Sequence, residues 1–195
     1  VTPDWLAATA PDDTFPTVRV SGLGVSARVP APWRHRAIAE AGDQTGAQWS
    51  HLPGEGLRIV RLEPADPEAR LASWVELPMA MVGGLDPQTL TAPLPGALLE
   101  WGRLPDSGLA GRWQLDACEA FGGMASLRTE AGDDLVRQYV VLARRGTVAW
   151  KIALTLPSAV LPGRAHSDPE LVATNDHVRA AACLGSLAFD VFGTG

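Results

Sequence analysis

Lysine is nearly absent from this chain: Lys151 stands alone among 16 basic residues, and the rest are arginine. That bias reads as GC-rich coding before it reads as function. Tyrosine occurs once and cysteine twice. Cys118 and Cys183 are too few and too far apart for a structural zinc site, which takes closely spaced ligands. They fit two buried thiols acting as small hydrophobes, or a disulfide if the chain is exported, or, least of all, a catalytic cysteine. No long apolar run is present. The longest, around Leu77 to Leu85, contains Pro78 and two glycines, well short of the ~20 residues that cross a bilayer. The N-terminus shows no basic region, no apolar export core and no acylatable cysteine. Val1 fits either a chain that begins in the cytoplasm or the mature part of an exported protein.

What is present describes a globular protein. The 195 residues are 46% hydrophobic and 19% charged, with a net charge of −6. That length suits one domain, 1–195, with a core large enough to need no metal or disulfide. A net negative chain lacks the clustered cations that neutralise phosphates, so a nucleic-acid surface is not expected. The 16 prolines and 20 glycines are scattered, as turns between many short elements would place them.

Residues 3–10 predict a short helix, with Thr2 as N-cap and Pro3 at its first position. Val18 and Val20, then Val25, Ala27 and Val29, alternate with polar residues and predict strands, with Gly22-Leu-Gly24 as a bulge or turn. Trp49 to Leu52 and Leu57 to Leu62 read as the next strands. Over 69–77, Leu71, Trp74 and Val75 suit a helix face while Leu71, Val75 and Leu77 suit a strand; strand is favoured because Pro78 interrupts a long helix, and a short helix is expected from Asp86-Pro87. Met124 to Thr129 and Leu135 to Arg144 follow as strands, with Gly146 supplying positive φ in the next turn. Val148, Trp150, Ile152, Leu154 and Leu156 then occupy every second position, which makes a long strand with one apolar face. Asp168-Pro169-Glu170 opens a helix whose buried side carries Leu171, Val178, Ala181 and Ala182, with Gly185 as C-cap. Leu187, Phe189 and Val191 close with a strand pattern. The layout is α+β with a mainly antiparallel sheet.

In order along the chain, three segments resemble actinobacterial lipoproteins of the LpqN/LpqT type. They are Asp4-Trp-Leu-Ala-Ala8, a strand ending in Val29-Pro-Ala-Pro-Trp33, and Gly83-Gly-Leu-Asp-Pro-Gln-Thr-Leu90. The hairpin from Arg137 to Leu156, with a helix and a final strand after it, is similar to the wider PsbP-like superfamily. The resemblance implies an α/β/α sandwich around a twisted antiparallel sheet. It also implies a non-catalytic role: envelope-linked adaptors in the lipoproteins, assembly or protein-binding factors elsewhere. This chain lacks the lipoproteins' acylated cysteine, so the compartment stays open between cell envelope or exterior and cytoplasm.

The motifs of common chemistries are missing: no nucleophile elbow, no phosphate-binding loop, no zinc-protease helix. His35, His51, His166 and His177 form no helical pair and read as surface histidines; no metal and no cofactor are expected. Asp12-Asp13 and Asp133-Asp134 read as solvated loop carboxylates. Seven tryptophans beside one tyrosine are the unusual feature. Trp150 belongs to a core face. Trp33, Trp49, Trp101 and Trp113 fall near turns, where large rings pack a core or rim an interface. Arg34, Arg36, Arg103 and Arg112 flank three of them. The expected function is a binding or adaptor domain that recognises a protein or an apolar small molecule through Trp33, Trp101, Arg103, Arg112 and Trp113. A structural subunit of a larger assembly, or an enzyme with a dispersed site, are the alternatives.

Overall fold

A computed structural model of the chain describes residues 6, 17–38, 45–51, 55–62, 96–106, 108–129, 132–157 and 179–190. These form ten strands and two helical segments: β1 Thr17–Gly22, β2 Val25–Pro30, β3 Arg34–Ile38, β4 Thr45–Ser50, β5 Gly56–Leu62, β6 Gly96–Leu104, α1 Leu109–Trp113, β7 Ala117–Thr129, β8 Gly132–Arg145, β9 Val148–Pro157, α2 described over 179–185, and β10 Ala188–Phe189. Every pairing is antiparallel. Seven strands make one sheet in the order β3-β4-β5-β9-β8-β7-β6, and β1-β2-β10 make a second. The described residues are therefore mostly sheet, where helical layers on both faces were expected. The helix expected over 3–10, apart from Leu6, and the elements expected between residues 63 and 95 lie outside the described residues.

The hairpin of β8 and β9 forms as its alternation requires. It runs in register from Arg145↔Val148 to Val136↔Pro157, and Gly146 turns it at φ 57°. Trp150, Ile152, Leu154 and Leu156 are fully buried on one face. Opposite them on β5 lie Leu57 and Ile59, and on β8 Tyr139, Val141 and Ala143. The small sheet supplies Val25, Ala27, Val29 and Phe189 to the same core, and α2 supplies Ala180, Cys183 and Leu184. This is the main hydrophobic core. A second, smaller cluster of Phe121, Val140 and Leu142 occupies the opposite face of the large sheet.

Gly22-Leu-Gly24 is the turn of the β1–β2 hairpin, with Leu23 at φ 56° and Gly24 at φ 78°. Two left-handed residues in succession match the twist of an antiparallel pair. The leucine there is strained, and partners distant in sequence hold it: Trp150 Nε1 donates to the Leu23 carbonyl at 2.8 Å, and the Asp190 amide to the Gly24 carbonyl at 2.8 Å. Gly22 is small for a packing reason, because a Cβ there would lie 2.9 Å from the Trp49 ring.

Several boundaries differ from expectation. β4 runs Thr45–Ser50 and so ends before Leu52, while β7 begins seven residues earlier than Met124. Asp133 and Asp134 belong to β8, opposite Arg128 and Leu127, and not to a loop. Val18 is 40% exposed, so β1 has no cleanly covered face. Gly185 is the last helical residue of α2 without positive φ, and β10 is only two residues long.

Candidate binding surface

Strand β6 and helix α1 carry four of the residues expected to bind. The structure separates them. Trp113, on α1, is buried at 5% exposure with its ring 5.9 Å from Phe189, and Phe189 in turn packs edge-on to Trp150 at 5.3 Å. Trp33, after the β2 turn, is equally buried at 4%. Both rings lie in the main core, so the expectation that they present a surface is corrected. The small sheet and α2 close over positions that local sequence places near turns. Among the described residues the buried Trp113 Nε1–H has no hydrogen-bond partner.

Arg112 remains exposed, but its guanidinium is engaged: Nη2 donates to the Gly185 carbonyl at 2.9 Å. A cation at a helix C-terminus answers the unpaired carbonyls and the negative end of the dipole. Its visible role is to fasten α1 to α2. Arg145, the last residue of β8, is the stronger fastener. Its guanidinium donates to the carbonyls of Gln114 at 2.7 Å, Trp113 at 2.6 Å and Asp190 at 2.8 Å. Asp116 completes this end of the molecule by accepting from the Gly146 amide at 2.7 Å.

Arg103 is the residue that stays at the surface. It is 54% exposed, and Nη2 pairs with Asp106 at 2.9 Å and with Glu119 at 3.3 Å. The hydrogen bond to Asp106 and the charges of Glu119 and Asp106 raise its pKa. Two carboxylates thus hold one guanidinium in a fixed orientation at the end of β6. Trp101 lies two residues away, opposite Gly123 of β7; its side chain is outside the described residues. Among the described residues β6 is the last strand in the order of the sheet, so Trp101 and Arg103 sit on the edge of the sheet they form.

The two cysteines are free thiols, which corrects the disulfide alternative. Burial pushes both thiols up to about 12; at Cys118 the charges of Asp106 and Glu119 add to it. A thiol so far from ionising at neutral pH is a poor nucleophile. His35 and His51 are exposed, with the His35 ring tilted against Trp49 at 5.4 Å. Among the described residues no three His, Cys, Asp or Glu side chains converge as a metal site. None of the described helices is long and apolar enough to cross a membrane.

No family model matches the chain, and no curated protein matches it. Among solved structures it is similar to cyanobacterial PsbP from Synechocystis sp. PCC 6803, with 10% identity over 93% of this chain and 98% of that one and a TM-score of 0.45. It is also similar to a protein from Bacteroides thetaiotaomicron, with 9% identity, 87% of this chain covered and a TM-score of 0.42. The chain spans less than half, 46%, of that protein. A protein of unknown function from Pseudomonas aeruginosa aligns with 16% identity over 82% of this chain and 94% of its own, at a TM-score of 0.31. The LpqN/LpqT family is not among these similarities.

Proposed function

We propose that the chain is a non-catalytic binding or adaptor domain that recognises a protein partner, with Trp101 and Arg103 on the edge strand β6 as part of its recognition surface. The carrying observation is how the polar side chains are used. Arg112 and Arg145 fasten backbone carbonyls at one end of the core, both thiols are held neutral, and Arg103 is left presented on an edge, oriented by two carboxylates. An edge strand is a surface to which an extended segment of a partner can add, and Trp with Arg are the residue types that most often anchor such contacts. The PsbP-like reading of the sequence, with its assembly and protein-binding factors, points to the same class of role.

The test is a capture experiment with the purified full chain, repeated with Trp101→Ala and with Arg103→Ala. A specifically retained protein whose capture drops at least about fivefold in both variants, with unfolding transitions unchanged, is the expected result. Undiminished capture by both variants would remove these residues from the surface. The absence of any retained protein would sink the binding reading itself.

A further inference from the structure

The small sheet places two like charges face to face. Arg19 of β1 stands directly opposite Arg28 of β2. Among the described strands no other register pair joins two groups of the same charge. Val25, Ala27 and Val29 of β2 are buried in the main core, and Arg28 alternates with them, so the arginine pair lies on the outer face of the sheet. Both arginines are exposed.

The backbone sets how close they come. The Arg28 amide donates to Ser186 Oγ at 2.6 Å. Ser186 precedes β10, which pairs with β2 on the side away from β1. The Arg28 amide therefore points away from Arg19. The two residues form the closer, non-hydrogen-bonded kind of antiparallel pair, with Cα atoms ~4.5 Å apart. Like charges so placed repel and destabilise the sheet.

The surroundings of the pair suit an anion. Thr17 and Ser21 of β1 and Ser26 of β2 share the outer face. Strands β1, β2 and β10 contain no Asp or Glu, in a chain with 22 acidic residues. Asp190, which follows β10, is held at the hairpin turn by the bond of its amide to the Gly24 carbonyl. Gly24 is four residues from Arg28, ~13 Å along a strand. Arg19 Nη2 donates to Ser26 Oγ at 2.6 Å, and Ser26 lies opposite Ser21, so the guanidinium leans along the sheet away from Arg28. That bond commits only one of its N–H groups, and the Ser26 hydroxyl keeps its own proton to donate.

A phosphate monoester brings about two negative charges and three strong acceptor oxygens at neutral pH. It can accept a two-pronged contact from each guanidinium and further bonds from the hydroxyls beside them. Its charge matches the two arginines, and its arrival replaces their repulsion with attraction. The guanidiniums stand exposed on a sheet face, whereas free small molecules are held in concave pockets; a phosphate carried by a larger partner suits such a face. Two cations are too few to track a nucleic-acid backbone.

We propose that Arg19 and Arg28, with Ser21 and Ser26, bind a phosphorylated side chain of a partner protein. This site involves neither Trp101 nor Arg103 and does not rest on them.

The probe is a fluorescent Gly-Ser peptide with one central phosphoserine, titrated against the full chain at low salt and read by anisotropy. Saturable binding is expected, weakened about tenfold by Arg19→Gln and by Arg28→Gln. Arg36→Gln, at an exposed cation of the large sheet, should leave it unchanged. Should either glutamine variant fail to fold, Arg28→Lys keeps the charge but loses the planar fork, with a loss of about threefold. Equal affinity for the Arg19 and Arg28 variants and the unsubstituted chain overturns the proposal. So does equal affinity for the unphosphorylated peptide, and so does inorganic phosphate or an oligothymidylate that binds as tightly as the phosphopeptide. Capture through Trp101 and Arg103 persisting beside a negative result here would remove this site alone. Phosphopeptide binding beside failed capture would remove the β6 surface and leave this site standing.

Discussion

The large sheet and the small one use arginine for different purposes. In the half of the large sheet built from β6, β7 and β8, guanidinium groups meet carbonyls and carboxylates of the fold, and Arg103 does so while staying exposed. Arg145 holds three carbonyls, Arg144 lies 3.7 Å from Asp116, and Arg103 is bracketed by Asp106 and Glu119. In the small sheet the strands offer no carboxylate at all, and the opposed pair Arg19 and Arg28 is exposed. Counting arginines says nothing about function here. What separates fastening from recognition is whether the guanidinium stays exposed once it is paired, as Arg103 does at 54%.

Breaking the fastening half should cost stability. The largest effect belongs to Trp150→Ala, which empties a fully buried site and deletes the bond to the strained Leu23 carbonyl. A loss of about 3–5 kcal/mol is expected in urea unfolding. Arg145→Met should follow, at about 2 kcal/mol, because three carbonyls lose a charged donor together. Next is alkaline pH. Thiol pKa values raised from 9.0 to about 12 mean that the folded state resists ionisation while the unfolded chain ionises first. Their contribution is fully present below pH 9 and declines as pH rises from 9 towards 12. Replacing both cysteines with Ala should flatten that part of the stability–pH curve. The smallest stability change is expected for Arg28→Gln, within about 0.5 kcal/mol, since the side chain is exposed. A larger loss would mean that the small sheet, too, uses its arginines for fastening.

The β8–β9 hairpin and the core around Trp150 were legible from the residues, because an apolar residue at every second position admits one arrangement. β3 was not, since Arg34-His35-Arg36 has no apolar alternation and an edge strand needs none. β6 carries enough apolar residues for a strand, but its register shifts between Leu98 and Glu100, which breaks the period that would reveal it. Helix α1 has only five residues, too few for a 3.6-residue pattern to show. Trp33 and Trp113 were misplaced for a different reason. Adjacency to Arg34 and Arg112 suggested a shared surface, whereas the ring is buried and its arginine neighbour exposed in both cases. The cover over the rings comes from segments distant in sequence, Phe189 among them. The clasp of Arg145 was hidden likewise, since its acceptors lie 31, 32 and 45 residues away.

The most direct measurement follows nitrogen-bound protons of arginine and tryptophan side chains by NMR while the phosphoserine peptide is added. Arginine surface and tryptophan core are separable in one spectrum. The side-chain signals of Arg19 and Arg28 are expected to shift in a saturable way, with the indole signals of Trp33, Trp49, Trp113 and Trp150 unmoved. Indole shifts at Trp33 or Trp113 without any at Arg19 and Arg28 would contradict this division of labour.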